Sequence, residues 1–445
     1  MLRMRRDSLS LFSLAGLMVV TAIGLGCSQQ PVAVNGANVD ATANSDTSKN
    51  AADAEQIPPK FIVGPIPQSI LDVKTDGDFI YDTVKTITPE IDGYDDVLLE
   101  EDLGLAYVTG RDGWLWKVDL KKEKAEHFVD VPVMAAGIHR IHGEKTKVAL
   151  SCSRSDRGNY PDGGDYPKSE KVGLYTLDLA TKELTPLVTR VPNSADVSKP
   201  TVFATAKQER VRVDSLDDSN SRLLSICNDV AVSADGKRMY FTESYVADGA
   251  TMGGAACLPP VVTLSTTGRL WMYDAEDQTV GLVANGYTFT DGILMDGDSS
   301  GIEETVLLTD NARYQIHRVH LAGPKAGESE VIWKDLPGLV DGMRRDSKGR
   351  IWVTIITNHG PQLPWVHANP EVKSFLMQHL PLLSMPPITS LLLLSPDAST
   401  PLWYTEHFQT RVNAIAAITP GKSGLYVANY SDKTPGLHRI DNPVD

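Results

Sequence analysis

Three observations in this 445-residue chain predict an all-β fold, a six-bladed β-propeller. One phrase recurs: an oxygen-bearing residue, a small or acidic residue, an apolar strand, a tight turn, and a second strand ending in Thr. A second phrase, Gly followed by apolar and aromatic alternation and a closing Asp, accompanies it. The units so defined number six. Four-stranded sheets repeated around an axis bury their faces on their neighbours and leave only short edges.

The N-terminus stands outside this pattern. Arg3, Arg5 and Arg6 precede the apolar run from Leu11 to Leu25, which ends at Gly26-Cys27-Ser28. This is the layout of an export signal, and Gly26-Cys27 resembles the cleavage and lipidation site of bacterial lipoproteins, with Gly24 where that signature usually has Leu. Residues 1–27 are therefore read as the signal, Cys27 as the lipidated residue, with plain secretion or an uncleaved anchor as the alternative, and the bacterial cell envelope, periplasmic or external face, as the destination. Residues 28–57 are rich in Ala, Asn, Asp, Ser and Thr and lack the large apolar side chains a core needs, so they read as a tether. The propeller takes residues 58–445. No later stretch is long and apolar enough to span a bilayer. A net charge of −15 and a pI near 5.1 exclude a polyanionic partner such as nucleic acid, which needs a basic face.

The units follow in order. The first phrase is clearest at Asp95-Asp96-Val97 to Thr109, Asn228-Asp229-Val230 to Thr242, and Asp341-Gly342-Met343 to Thr354. The second phrase appears at Gly113–Asp119, Gly173–Asp178, Gly268–Asp274 and Gly436–Asp441, with weaker copies at Gln315–Leu321 and Leu391–Asp397. Period-two alternation between turn residues is the mark of antiparallel strands. Units begin near Asp95, Ala136, Asn228, Asp291, Asp341 and Asn413. The last unit ends one strand short, and the strand-like run Asp78–Val84 is placed to complete it. Ser153–Lys171 and Glu243–Thr267 read as loops, whereas Val366–Leu383 carries Val372, Phe375, Leu376 and Leu380 at helical spacing, an amphipathic helix that forms a lid over one end of the channel or, as the alternative, contacts a membrane. Beyond Cys27, the thiols of Cys152, Cys227 and Cys257 allow either one disulfide, in any of three pairings, or buried thiols.

Asn228-Asp229-Val230 with Asp235-Gly236-Lys237 and Tyr240–Ser244, Gly268-Arg269-Leu270 with Tyr273-Asp274, and Leu336–Asp341 with Gly349 and Trp352-Val353 together resemble the strictosidine synthase-like family. The likeness is to its adipocyte plasma membrane-associated protein type, within the gluconolactonase and paraoxonase superfamily. It runs from about Gly93 to Ile440. The resemblance implies a divalent cation, calcium, low in the central channel, held by Asp95, Asn228, Asp291 and Asp341. Relatives often carry Glu at the first of these positions and Asn at the third, which makes this site shorter on one side and more anionic. The residues point the same way, since calcium takes several carboxylate and amide oxygens in irregular geometry and these four share one phase of the repeat.

The chemistry expected is hydrolysis of a small-molecule lactone or related ester, with Asp341 and Asp291 as carboxylate candidates for activating water and His139, in His139-Arg140-Ile141-His142, as a third. A non-catalytic binding propeller is the alternative, because the fold hosts many functions. A strictosidine-synthase-type condensation is the third reading. The resemblance implies a catalytic Glu in the last unit for it, but gap-free alignment on Leu425-Tyr426-Val427 puts Asn413 there, with Glu406 off-register. Oligomeric state is not legible.

Overall fold

The structure, a computed structural model, describes residues 60–444 except 132, 156–170, 204–208, 254–256, 298–304, 380–382, 384 and 432. The export signal, Cys27 and the tether lie outside the described residues. Six antiparallel sheets with strands in sequential order form the blades of a propeller. Their inner strands are Tyr94–Glu100, Met134–Arg140, Val230–Val232, Thr290–Met295, Gly338–Arg345 and Ile415–Gly421.

The second strand of each unit explains why the repeat is so apolar. Successive side chains point to opposite faces of a blade, so both must be covered. Tyr240 enters the core between blades 3 and 4 and Phe241 that between blades 2 and 3. Trp352 and Val353, and Leu425 and Tyr426, divide in the same way between their two neighbours. Six such cores, one per blade junction, run around the ring. Cys152 belongs to the core between blades 1 and 2 and Cys227 to the next, on the other side of blade 2, and all three described cysteines are free thiols.

Ring closure falls a few residues later than the sequence indicates. Lys85–Thr88 pairs antiparallel with Leu437–Ile440 and supplies the missing outer strand of blade 6. The run assigned to that role is instead the helix Phe79–Thr83, because the Asp78 carboxylate caps it by accepting from Tyr81 N at 2.9 Å. Phe79 packs edge-on against Trp403, with ring centroids 5.4 Å apart. A strand-favouring composition is overridden by a cap and a packing partner.

The three insertions all leave the end of a second strand and enter a third. In an antiparallel hairpin that end is level with the start of the inner strand, as the pairs Ala135 with Cys152 and Gly338 with Asn358 show. The described parts of the blade 3 and blade 5 insertions therefore gather over the face at which the inner strands begin, whereas most of the blade 2 insertion, read as a loop, lies outside the described residues. The blade 5 insertion is helical as anticipated but broken in two, Gln362–Ala368 and Lys373–Gln378, since Pro370 holds Asn369 out of the α region. The blade 3 insertion, read as loop, contains the helix Leu258–Thr263, with its prolines in the first turn, where no donor is lost. Val262, Val366 and Leu376 join the two insertions in one apolar cluster. A further insertion, between blades 2 and 3, adds Thr201–Val202 and Arg210–Arg212 to the outer edge of blade 3, which the repeat pattern does not signal. Among the described residues no helix is long and apolar enough to cross a membrane.

Candidate active site in the propeller channel

Each inner strand carries a β-bulge at the same place. The register breaks between Tyr94 and Val97, Ala135 and Ile138, Thr290 and Ile293, Val340 and Met343, and Ile415 and Ile418. Blade 3 shows the same interruption as Asn228 N donates to Thr242 O and Thr242 N to Asp229 O, both at 3.0 Å. Bulges re-aim side chains, and here they turn a residue pair from every blade toward the axis. The first members are Asp95, Ala136, Asn228, Asp291, Asp341 and Ala416, and all six line one space of about 320 Å³, part of it open to solvent. The sixth unit is therefore in phase at Ala416. Asn413, the position assigned by gap-free alignment, lies upstream of the bulge, where its N–H donates to Asn429 Oδ1 and its amide to Thr434 Oγ1.

The Thr that closes the repeat locks this arrangement. Thr109 Oγ1 donates to Ala136 O at 3.0 Å, Ser151 Oγ to Asn228 O at 2.5 Å, Thr242 Oγ1 to Asp291 O at 2.9 Å, and Thr354 Oγ1 to Ala416 O at 2.6 Å. Each hydroxyl belongs to one blade and each carbonyl to a lining residue of the next.

The four predicted oxygen donors thus come together. Asn228 Nδ2 donates to Ser244 Oγ at 3.0 Å and to the Asp291 carboxylate, which also accepts from Asn311 Nδ2 at 3.0 Å. Burial pushes the Asp291 carboxyl up to about 7, with the Asp229 charge adding to it, while hydrogen bonds from Asp341, Asn311 and Asn228 hold it down. Asp341 is pushed well above the usual carboxylate range by burial and by the charges of Asp291 and Asp95. Asp95 is raised by burial and by Asp291, Asp96 and Asp229, against the pull of Arg111.

A cation fits this donor set by its chemistry: three carboxylates and one amide, all hard oxygens, whose charges repel one another, with Asp291 partnered by Asn228, Asn311 and Asp341 among the described residues. Among the described residues no three acidic, imidazole or thiol side chains are drawn together at coordination distance. The acids line the space rather than closing on a point.

Sequence reasoning missed the second member of each pair. Asp96 accepts from Val97 N at 2.8 Å and from Ile138 N of blade 2 at 3.0 Å. Asp229 does the same for Val230 N at 2.7 Å and Ile293 N of blade 4 at 3.0 Å. Where the repeat has Gly instead, the next blade is too close for a side chain: a Cβ on Gly292 would stand 2.2 Å from Asp341 O. The doublets Asp95-Asp96 and Asn228-Asp229 were the available signal. Arg344, three residues past Asp341, also lines the space, donating to the Asp96 carboxylate and to Ile138 O at 3.0 Å.

His139 is not among the lining residues. It sits beyond Ala136 on the same strand, its Nδ1 2.9 Å from Arg140 O, and burial and the Arg344 charge push it down to about 3. Glu406 is on the outermost strand of blade 5, held by Lys74 at 2.5 Å and Tyr404 at 2.8 Å. Above the acids the wall is apolar: Met134, Ile226, Tyr245, Ala250 and Met252 pack over Ala136, with Phe289 and Tyr430 against them.

A six-bladed propeller with an acidic channel floor beneath a roof of inserted segments is the class that fold and site define. The sequence profile of the SMP-30/gluconolactonase/LRE-like region matches residues 120–363, more than half of the chain, and the chain belongs to that family. Adipocyte plasma membrane-associated protein of Salmo salar is 32% identical over 134 residues, 30% of each chain. Strictosidine synthase-like 10 of Arabidopsis thaliana is 29% identical over 133 residues, 30% of this chain and 33% of that one. The match thus spans about a third of the length of these curated relatives. Among solved structures, a gluconolactonase from Xanthomonas campestris aligns over 87% of this chain and 97% of its own at 11% identity and a TM-score of 0.49.

Proposed function

We propose that the chain is a metal-dependent hydrolase of lactones or related esters, exported and held at the cell envelope by lipid on Cys27. The observation that carries the activity is the convergence of Asp95, Asn228, Asp291 and Asp341, from four blades, on one space. Family membership supports a lactonase-type reaction. The N-terminal run from Arg3 to Cys27, and the membrane association in the name of the Salmo salar relative, support the location. The substrate would present its carbonyl to the acids that line the channel space.

A divalent cation, calcium by the all-oxygen donor set, would be held by Asp95, Asn228, Asp291 and Asp341 and would supply charge stabilisation for the acyl oxygen. Asp341 takes a proton from water as the water oxygen bonds to the acyl carbon. The ring carbon–oxygen bond then breaks, and the carboxyl returns the proton to the departing alkoxide. Asn228, fixed by Ser244, and Asp291, fixed by Asn311, hold the geometry around it.

The test is to strip the protein with a chelator, restore calcium, and assay a panel of lactones and aryl esters, with metal analysis of wild type and Asp341→Ala. Activity lost on stripping and regained with calcium supports the reading. Activity indifferent to chelation, or absent with calcium bound, overturns it. The tightly packed apolar roof favours a second reading, a non-catalytic binding propeller, which inactivity across the panel in calcium-loaded protein would select.

A further inference from the structure

The reaction outlined above uses neither Arg344 nor the two carboxylates beneath the four oxygen donors, yet Arg344 joins blade 5 to blades 1 and 2 by hydrogen bonds inside the channel. Arg344 arises from the inner strand of blade 5, and its Nη2 donates both to the Asp96 carboxylate of blade 1 and to Ile138 O of blade 2 at 3.0 Å. Asp229, from blade 3, lies within the field of the same guanidinium. One side chain therefore draws on four blades from inside the ring.

Two of the oxygen groups near it, the Asp96 carboxylate and Ile138 O, accept from it directly, while the Asp229 carboxylate acts on it by charge alone, and all three are of the kind a cation coordinates. Asp96 and Asp229 each spend part of their capacity on two backbone N–H groups, and the Ile138 carbonyl adds a third oxygen. Such a set suits a hard divalent ion, and a guanidinium, planar, always charged and able to donate in several directions, satisfies it without one. Room for the Asp229 carboxylate is kept by Gly137, where a Cβ would stand 2.7 Å from Asp229 Oδ1. Five carboxylates line one space, Asp95, Asp96, Asp229, Asp291 and Asp341, and Arg344 is the cationic side chain that lines it with them.

We propose that Arg344 is a resident cation of the channel, occupying between Asp96 and Asp229 the place a second metal ion would take and restricting the protein to the ion held by Asp95, Asn228, Asp291 and Asp341. The inference rests on the reading of those four as a cation site, but concerns a different group of atoms. Removing the guanidinium leaves two carboxylates and a carbonyl facing one another without a counter-charge. Those oxygens then recruit an ion.

The experiment counts ions. Full-length protein is stripped with chelator and titrated with calcium by calorimetry, with terbium luminescence as a second readout. Arg344→Met binds one calcium ion more than wild type, Arg344→Lys binds the wild-type number, and ethylguanidinium added to Arg344→Ala expels the extra ion. An unchanged count in Arg344→Met, or an extra ion in Arg344→Lys, overturns the proposal. Wild type binding no calcium while Arg344→Met binds one sinks the proposed function and leaves this inference standing. If Arg344→Met yields no folded protein, Asp96→Asn with Asp229→Asn carries the test. The guanidinium, stripped of its counter-charges beneath the four donors, lowers calcium affinity there at least tenfold, and unaltered affinity overturns the proposal.

Discussion

Replacing Thr242 by Val isolates the contact that ties the repeated Thr to the site. Thr242 is fully buried, and its hydroxyl accepts from Asp229 N and donates to Asp291 O, each at 2.9 Å. Valine keeps the shape and removes both bonds, leaving one buried N–H and one buried carbonyl without these partners. Each such loss costs about 1–3 kcal/mol, so the substitution should destabilise the fold by roughly 2–6 kcal/mol. Thr309 is the internal control, because its hydroxyl reaches Gly292 O only at 3.4 Å, and Thr309→Val should cost less than about 1.5 kcal/mol. Equilibrium denaturation in urea measures both, with the midpoint moving and the slope unchanged. If Thr242→Val falls within about 1 kcal/mol of wild type, or costs no more than Thr309→Val, the inter-blade hydroxyl is not what holds the lining residues in place.

Three further outcomes are expected. Gly292→Ala drives a methyl group into Asp341 O, a backbone atom that cannot turn aside, so both stability in urea and lactone hydrolysis should fall; a variant as stable and active as wild type would show the blades free to part there. Asp310 is pushed up to about 7 by burial, opposed by Arg313. The fold therefore favours its neutral form: that contribution is complete below the unfolded value near 3.8, is lost as pH rises through about 7, and is at most about 4 kcal/mol. Asp310→Asn, which keeps the acceptor for Thr288 N, should flatten this fall between pH 4 and 8, and an undiminished slope refutes the assignment. Finally, Asp341→Asn removes one of the mutually repelling carboxylates, so metal-free protein should melt no lower than wild type while the rise in Tm with calcium, about 2.7 kcal/mol of stabilisation at a hundred times Kd, disappears.

Much of this architecture was legible because propeller blades repeat in sequence what they repeat in space. Alternation in Tyr240-Phe241 or Trp352-Val353 announces a strand covered on both faces, and six such units announce a ring. What failed to show were features set by single contacts. Asp78–Val84 has a strand's composition, and only the cap on Tyr81 and the Trp403 ring make it helical. Asn413 occupies the expected distance from Leu425, yet the bulge at Ile415 to Ile418 hands its place to Ala416. His139 looked available for chemistry until its strand carried it past the lining residues to Arg344.

Which residues could become neighbours is already written in the spacing of the repeat. The spacing of the repeat puts Asp95, Asn228, Asp291 and Asp341 in one phase, and phase is a local property, fixed by strand periodicity and turn chemistry. Tertiary structure alone decided what those neighbours do to one another. The charges that raise the buried acids, the hydroxyls that reach the next blade's carbonyls, and the guanidinium of Arg344 beneath them act between residues tens to hundreds of positions apart. Interactions of that kind depend on distance and burial through space, which no local pattern encodes.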